Sequence, residues 1–162
     1  MKLIVLLASC LFAWGTANAD EAAQCQVGGG TYLTGHVTAG PVFARGRHPR
    51  RGIELSHTHL TLLSDRDRRS WDVAVDDVFA SGYDAAGETV PAPLSKIRVG
   101  DRLEVCGRPF TDDTGPGIDW VHTNCGVTPT SRKPNGWLKV LAANGIPGPN
   151  LESSQEYCHI WR

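Results

Sequence analysis

Four of the five cysteines, Cys25, Cys106, Cys125 and Cys158, are spread over most of the chain beyond its apolar N-terminus and limit its folds more than any other feature. No two of them form a C-x-x-C pair, which argues against a thiolate zinc site and for disulfides. Four cysteines allow three pairings. The expected one joins Cys106 to Cys125, at the ends of two strands that read as hairpin partners, and Cys25 to Cys158, fastening the termini together. In the chain-entropy model the second bridge contributes on the order of 4 kcal/mol.

Disulfides need an oxidising compartment, and the N-terminus fits one. "MKLIVLLASCLFAWGTANAD" has one lysine, an apolar run from Leu3 to Trp14, and Ala17-Asn18-Ala19 ahead of Asp20. This is the layout of a secretory signal peptide over residues 1–19, cleaved near Ala19-Asp20. Acylation of Cys10 within "LASC" is the competing reading. The run is too short to span a bilayer comfortably, and no second apolar stretch of about 18 residues follows. The expected mature chain is therefore periplasmic or secreted, one domain in size, and monomeric. Its charge is nearly balanced: 16 Lys and Arg face 17 Asp and Glu, a formal net of −1 that becomes −2 without Lys2. Steering toward a polyanion is not supported, and nucleic acid is a poor candidate partner.

The rest of the chain reads as β. Residues 20–30, "DEAAQCQVGGG", predict a flexible lead-in, tied down only if Cys25 is bridged. Strands are expected at 31–39, 54–63, 70–76, 101–108 and 118–124, all rich in β-branched and aromatic residues between Gly, Pro, Asp and Ser clusters. Trp71, Val73 and Val75 alternate with Asp72, Ala74 and Asp76, and Leu103 and Val105 with Arg102 and Glu104, so each strand has one inward face. "SDRDRR" (64–69) predicts a tight hairpin connection. Residues 77–100 form the longest insertion, 135–145 reads as a short helix, and 141–162 as a tail packed on the domain. Five strands over residues 31–140, with the longest insertion after the third, are the layout of a five-stranded Greek-key barrel, the OB fold.

Several short motifs fall in that frame: "THLTL" after His57, "VGDRLEVCG" (99–107), "GIDWVH" (117–122) and "KPNGWL" (133–138). In their order and spacing they resemble the DUF3465 family of small exported bacterial proteins, whose function is uncharacterised. The similarity covers about residues 31–140, with "IDWVH" and "PNGWL" its most specific parts. It implies an exported barrel and lends no mechanism. Where the family pattern has histidine before the strand-five tryptophan, this chain has Asp119; where it has histidine before the proline of P-x-G-W, this chain has Lys133. The four cysteines and the long tail look like additions of a distinct branch.

Candidate contacts follow from residue chemistry. On strand five, Trp120 and His122 are two apart and share a face, as do His57 and His59 on strand two. Should these strands expose one surface, the imidazoles and Asp76 or Asp77 converge, giving acid/base chemistry or a metal site. No metal-binding motif spacing occurs, and no cofactor is expected. An aromatic side chain on a barrel face can stack on a sugar ring. "RGRHPRR" (45–51) places Arg45, Arg47, Arg50 and Arg51 in a loop suited to a carboxylate or phosphate. Nucleophilic catalysis finds no G-x-S-x-G elbow, and no phosphate-cradling glycine loop precedes a helix. The preferred expectation is a binding module for an oligosaccharide, an anionic ligand or a protein partner, using His57, His59, Trp120, His122 and the four arginines. The alternatives are a metal-dependent hydrolase on His57, His122 and Asp77, and an inhibitor-like protein acting through its tail.

Overall fold

The computed structural model describes residues 16–161. Residues 1–15, which carry most of the expected signal peptide and Cys10, lie outside them. One helix, α1 (Thr16–Val27), precedes six strands: β1 (Thr31–Ala44), β2 (His57–Ser64), β3 (Ser70–Asp76), β4 (Arg102–Asp112), β5 (Gly115–Asp119) and β6 (Trp137–Leu141). They form one mixed sheet in the order β1-β2-β3-β5-β4-β6, and β1 also pairs with β4. All neighbours are antiparallel except β3 and β5, which run parallel. The long β1 serves both β4, through Thr31–His36, and β2, through Gly35–Ala44, with two register shifts along the second stretch. Such irregularities bend a strand and sharpen its twist, which lets one strand face two partners.

The alternation read from the sequence holds where only one face is covered. Along β2 every second residue is buried, and Leu60 and Leu62 meet Val73 and Val75 of β3, Leu103 and Val105 of β4, and Ile118 of β5 in the core. Leu94 and Ile97, from the 77–100 insertion, close one end of it. On β4 the alternation fails, because Leu103 through Gly107 are all buried. Glu104 does face away from Leu103, but it is covered and held by Tyr32 Oη, which donates to Oε2 at 2.7 Å, and by Lys139 Nζ at 3.4 Å from Oε1. Lys139 in turn reaches Glu21 of α1 at 2.6 Å.

Two expectations at the ends of the chain are corrected. Residues 20–30 do not form a loose lead-in. Most of them continue α1, which a disulfide from Cys25 to Cys106 fixes to β4. Gly30 is required there, since a Cβ would lie 2.5 Å from Cys106 Sγ. Residues 135–145 do not form a helix. The apolar positions of "GWLKV" suit either period over so short a run, and the free edge of β4 at Arg102–Cys106 captures them as β6.

The disulfide pairing also differs from expectation, joining Cys25 to Cys106 and Cys125 to Cys158. The reason is the length of the β4–β5 hairpin. Strand β4 continues to Asp112, so the hairpin pairs Arg108 with Asp119, leaving Cys106 before its start and Cys125 beyond its end. The two cysteines never face each other. Cys125 instead meets the tail, whose last turn, Cys158–Trp161, packs on Val78, Phe79 and Tyr83.

Replacing Cys25 and Cys106 together by serine is expected to lower the unfolding free energy by about 4 kcal/mol, from the loop entropy of a bridge across 81 residues. Urea titration of the oxidised parent and the variant measures this. A loss below about 1 kcal/mol would mean that α1 is held chiefly by its other contacts.

Candidate functional site

Register places the first pair of the site. His57 opens β2 directly across from Asp76, the last residue of β3, and its Nε2 lies 2.9 Å from Asp76 Oδ1. The parallel ladder adds the third member. It pairs Val73 with Ile118, so the chain leaving β5 passes beside the end of β3. There His122 Nε2 comes 3.5 Å from Asp76 Oδ2. One carboxylate thus stands between two imidazoles.

His122 does not reach this position as part of a strand. Strand β5 ends at Asp119, and Trp120 has a positive φ of 57°, a rare conformation for a bulky residue. The segment is clamped from below by the "PNGW" motif. A Cβ on Gly136 would lie 2.5 Å from the Trp120 carbonyl oxygen and 3.2 Å from His122 N, so only glycine permits the approach. Gly136 N donates to the His122 carbonyl at 2.8 Å, and Asn135 Oδ1 accepts from Asn124 N at 2.9 Å.

The ring of His122 is buried and lies flat on Phe79, with centroids 3.6 Å apart and planes 5° from parallel. Trp161, from the tail, lies 6.2 Å from Phe79 and nearly parallel to it, and Trp120 flanks His122 at 5.1 Å. Two guanidinium groups cover the outer tryptophans: Arg50 over Trp161 at 4.4 Å and Arg108 over Trp120 at 5.3 Å. Arg108 is held in turn by Asp119, with Nε–Oδ1 at 2.9 Å and Nη2–Oδ2 at 2.5 Å. A cavity of about 280 Å³ is lined by Trp120, His122, Asp76, Phe79 and Trp161, with Arg50, Lys133, Asn124, Cys125 and Val127 around them.

Proton placement follows from these contacts. His122 Nδ1 is 3.0 Å from the Thr123 carbonyl, which only accepts, so Nδ1 carries the proton. Burial pushes the His122 pKa down against the pull of Asp76, and a neutral ring then presents an Nε2 lone pair to a carboxylate oxygen. Among the described residues no donor stands between these two acceptors. His57 shifts the opposite way, its pKa raised chiefly by the hydrogen bond to Asp76. Behind them Glu152 is fully buried, and among the described residues neither of its carboxyl oxygens has a hydrogen-bond partner. Burial, reinforced by Asp76 and Asp77, raises its pKa well above that of an ordinary carboxyl.

The residues singled out from sequence divide accordingly. His57, Trp120, His122 and Arg50 come together. His59 pairs with Asp72 instead, Nδ1 to Oδ1 at 2.9 Å, farther along the same strands. Asp77 does not join the histidines: it is buried and accepts from Ser56 Oγ at 2.8 Å and Thr58 Oγ1 at 2.6 Å, so the linking carboxylate is Asp76. Arg45 pairs with Glu88, Arg51 donates to the His159 carbonyl at 2.8 Å, and Arg47 is exposed on the loop. Among the described residues no three His, Cys, Asp or Glu side chains are grouped to hold a metal ion. Phe79, Trp161, Lys133 and Glu152 were not foreseen as members of the site. The first two had a local signal, an aromatic just past a strand and another beside a cysteine, but nothing in the sequence aligns them. No family model matches the chain, and no curated protein matches it.

Two titrations test these assignments. By imidazole NMR, His57 is expected to titrate above 6.5 and His122 below it, and Asp76→Asn to lower both. An unmoved His57 in that variant would remove Asp76 as the cause. For Glu152, a raised folded-state pKa costs stability as pH climbs from the ordinary 4.5 toward the folded value. Glu152→Gln is therefore expected to melt higher than the parent at about pH 8 and to show no such gain at about pH 4. Equal differences at both pH values would show that its carboxyl does not titrate on unfolding.

Proposed function

We propose that this chain is an exported binding module built on an OB-type barrel, and that its ligand enters the cavity between Trp120, His122 and Trp161. The sheet order supports the fold: each strand of β1-β2-β3-β5-β4 bonds to the next and β4 bonds back to β1, with β3 and β5 parallel. The likeness of "GIDWVH" and "KPNGWL" to the DUF3465 motifs agrees with it, since these segments build the pocket and its clamp. Two disulfides suit a periplasmic or secreted protein. Among the described residues no helix is long and apolar enough to cross a membrane. The module acts as a monomer.

The observation that carries the binding reading is the concentration of three aromatic side chains, Phe79, Trp120 and Trp161, and two facing acceptors, on His122 and Asp76, on one cavity, the composition of a small-ligand site. The hydrolytic alternative has less support, because Asp77 is sequestered by Ser56 and Thr58. The inhibitor-like alternative is disfavoured by the tail itself, which forms a wall of the cavity instead of projecting from it.

Screening the mature protein by NMR against a library of small ring compounds tests the reading. Binding is expected to shift the indole signals of Trp120 and Trp161 and the ring of His122, and Trp120→Ala to weaken it at least about tenfold, the order lost with one stacking ring. Shifts confined to the His59–Asp72 side of β2 and β3 would overturn the assignment.

A further inference from the structure

We infer that the ligand is an acidic sugar: a pyranose ring carrying a carboxylate, received in the cavity already described. The inference rests on the binding reading above and adds the class of ligand. It comes from three properties of the pocket taken together.

Size comes first. Cavities for drug-sized ligands run about 300–1,000 Å³. At about 280 Å³ this one takes a single six-membered ring and leaves further units of a chain outside. Its walls suit the C–H face of such a ring, since Trp120, Phe79 and Trp161 offer flat apolar surface.

Hydroxyl recognition is the second property. His122 Nε2 and Asp76 Oδ2 are acceptors 3.5 Å apart, on two residues that line the cavity. A donor between them relieves their mutual repulsion. A sugar hydroxyl supplies it, giving its proton to one and keeping lone pairs for the side-chain amide of Asn124, also on the wall. A purely aromatic ligand has no group for this position.

Charge is the third. The acids near the pocket are held by the protein: Asp76 to His57 through Oδ1, Asp119 to Arg108, Asp77 to two hydroxyls. The cations at its rim are not so paired: among the described residues no carboxylate lies within ion-pair distance of Arg50 or Lys133. Arg50 spends its Nε on the Ile160 carbonyl at 2.8 Å, which fixes the guanidinium over Trp161 and leaves its two terminal nitrogens for a ligand oxygen pair. A carboxylate on the ring meets that geometry, and Lys133 adds a second positive charge on the same rim.

The test uses matched probes that differ only in the carboxylate: methyl glucuronide against methyl glucoside, and methyl galacturonide against methyl galactoside, with phenylacetate as an acid that lacks hydroxyls. Each is titrated into the mature, oxidised protein while the indole signals of Trp120 and Trp161 are followed by NMR. At least one uronide is expected to bind roughly tenfold tighter than its neutral partner at low ionic strength, as a charge-assisted contact implies, and to lose most of that advantage in about 0.5 M salt. Lys133→Ala and Arg50→Gln are expected to bring the ratio toward one by weakening the uronide more than the neutral sugar, and thermal melts confirm that each variant is folded. Equal binding of acidic and neutral sugars, or a preference that survives both substitutions, overturns the acidic assignment. Binding of phenylacetate with no response to any sugar overturns the sugar and leaves the pocket standing. No indole response to any probe removes the sugar and counts against the pocket as well.

Discussion

Two residue pairs, Asp72 with Gly117 and Val73 with Ile118, make up the whole parallel ladder between β3 and β5, and the site depends on them. Parallel neighbours need a long crossover, here the 77–100 insertion followed by β4. Without that ladder the end of β3 and the exit from β5 would belong to separate parts of the sheet. With it, Asp76 meets His122 three residues beyond one pair and four beyond the same pair on the partner strand. Within the ladder Gly117 leaves room for the Phe110 ring of β4, which would lie 2.1 Å from a Cβ at that position. Once the strands are level, the left-handed turn at Trp120 sends His122 inward onto Phe79 in place of continuing the strand.

The two disulfides act on different parts of this arrangement. Cys25–Cys106 fastens α1 to β4, on the face where Glu104, Tyr32, Lys139 and Glu21 make a buried polar network. Cys125–Cys158 fastens the tail beside the pocket, and Cys125 lies on the pocket wall. Tail and site are further joined through Thr123 N to the Glu152 carbonyl at 2.8 Å and Ser154 N to the Phe79 carbonyl at 2.9 Å. Trp161 is therefore presented to Phe79 by a segment that is tied at several points, and Arg50 is positioned by the same segment. Reduction of this bridge acts on the cavity wall, whereas reduction of the other acts on the helix.

Local chemistry in the sequence revealed the strands whose environment is one-sided, and little that depends on what covers the second face. The span 70–76 is β3 as read, and 64–69 is its hairpin turn, because alternation and turn residues are both local signals. The alternation of "IDWVHTN" predicts a strand over 118–124; the backbone at Trp120 breaks that run where Gly136, a residue sixteen positions away, packs against it. For the same reason Trp120 and His122 share a cavity but not a strand face. The cysteine pairing could not be read from spacing, because it turns on how far the β4–β5 hairpin extends. Asp76 and Asp77 are adjacent carboxylates at a strand end, and only the direction of each side chain separates the linking residue from the sequestered one.

The distribution of unmet polar groups bears on what the fold is arranged to do. Buried polar atoms without partners are few in folded proteins, and each calls for an explanation. Here they include Trp120 Nε1 and Trp161 Nε1, on residues of the cavity wall, and both oxygens of Glu152 in the layer behind it. The positive φ of Trp120 and the two facing acceptors of His122 and Asp76 lie within the same few residues. Each of these costs stability, and the disulfide at Cys125 stands where it offsets that cost. Local strain of this kind persists only where the surrounding structure over-determines it, as the Gly136 clamp and the tethered tail do. A cavity assembled at such expense from four separate stretches of chain is the part of this protein that its fold holds in place.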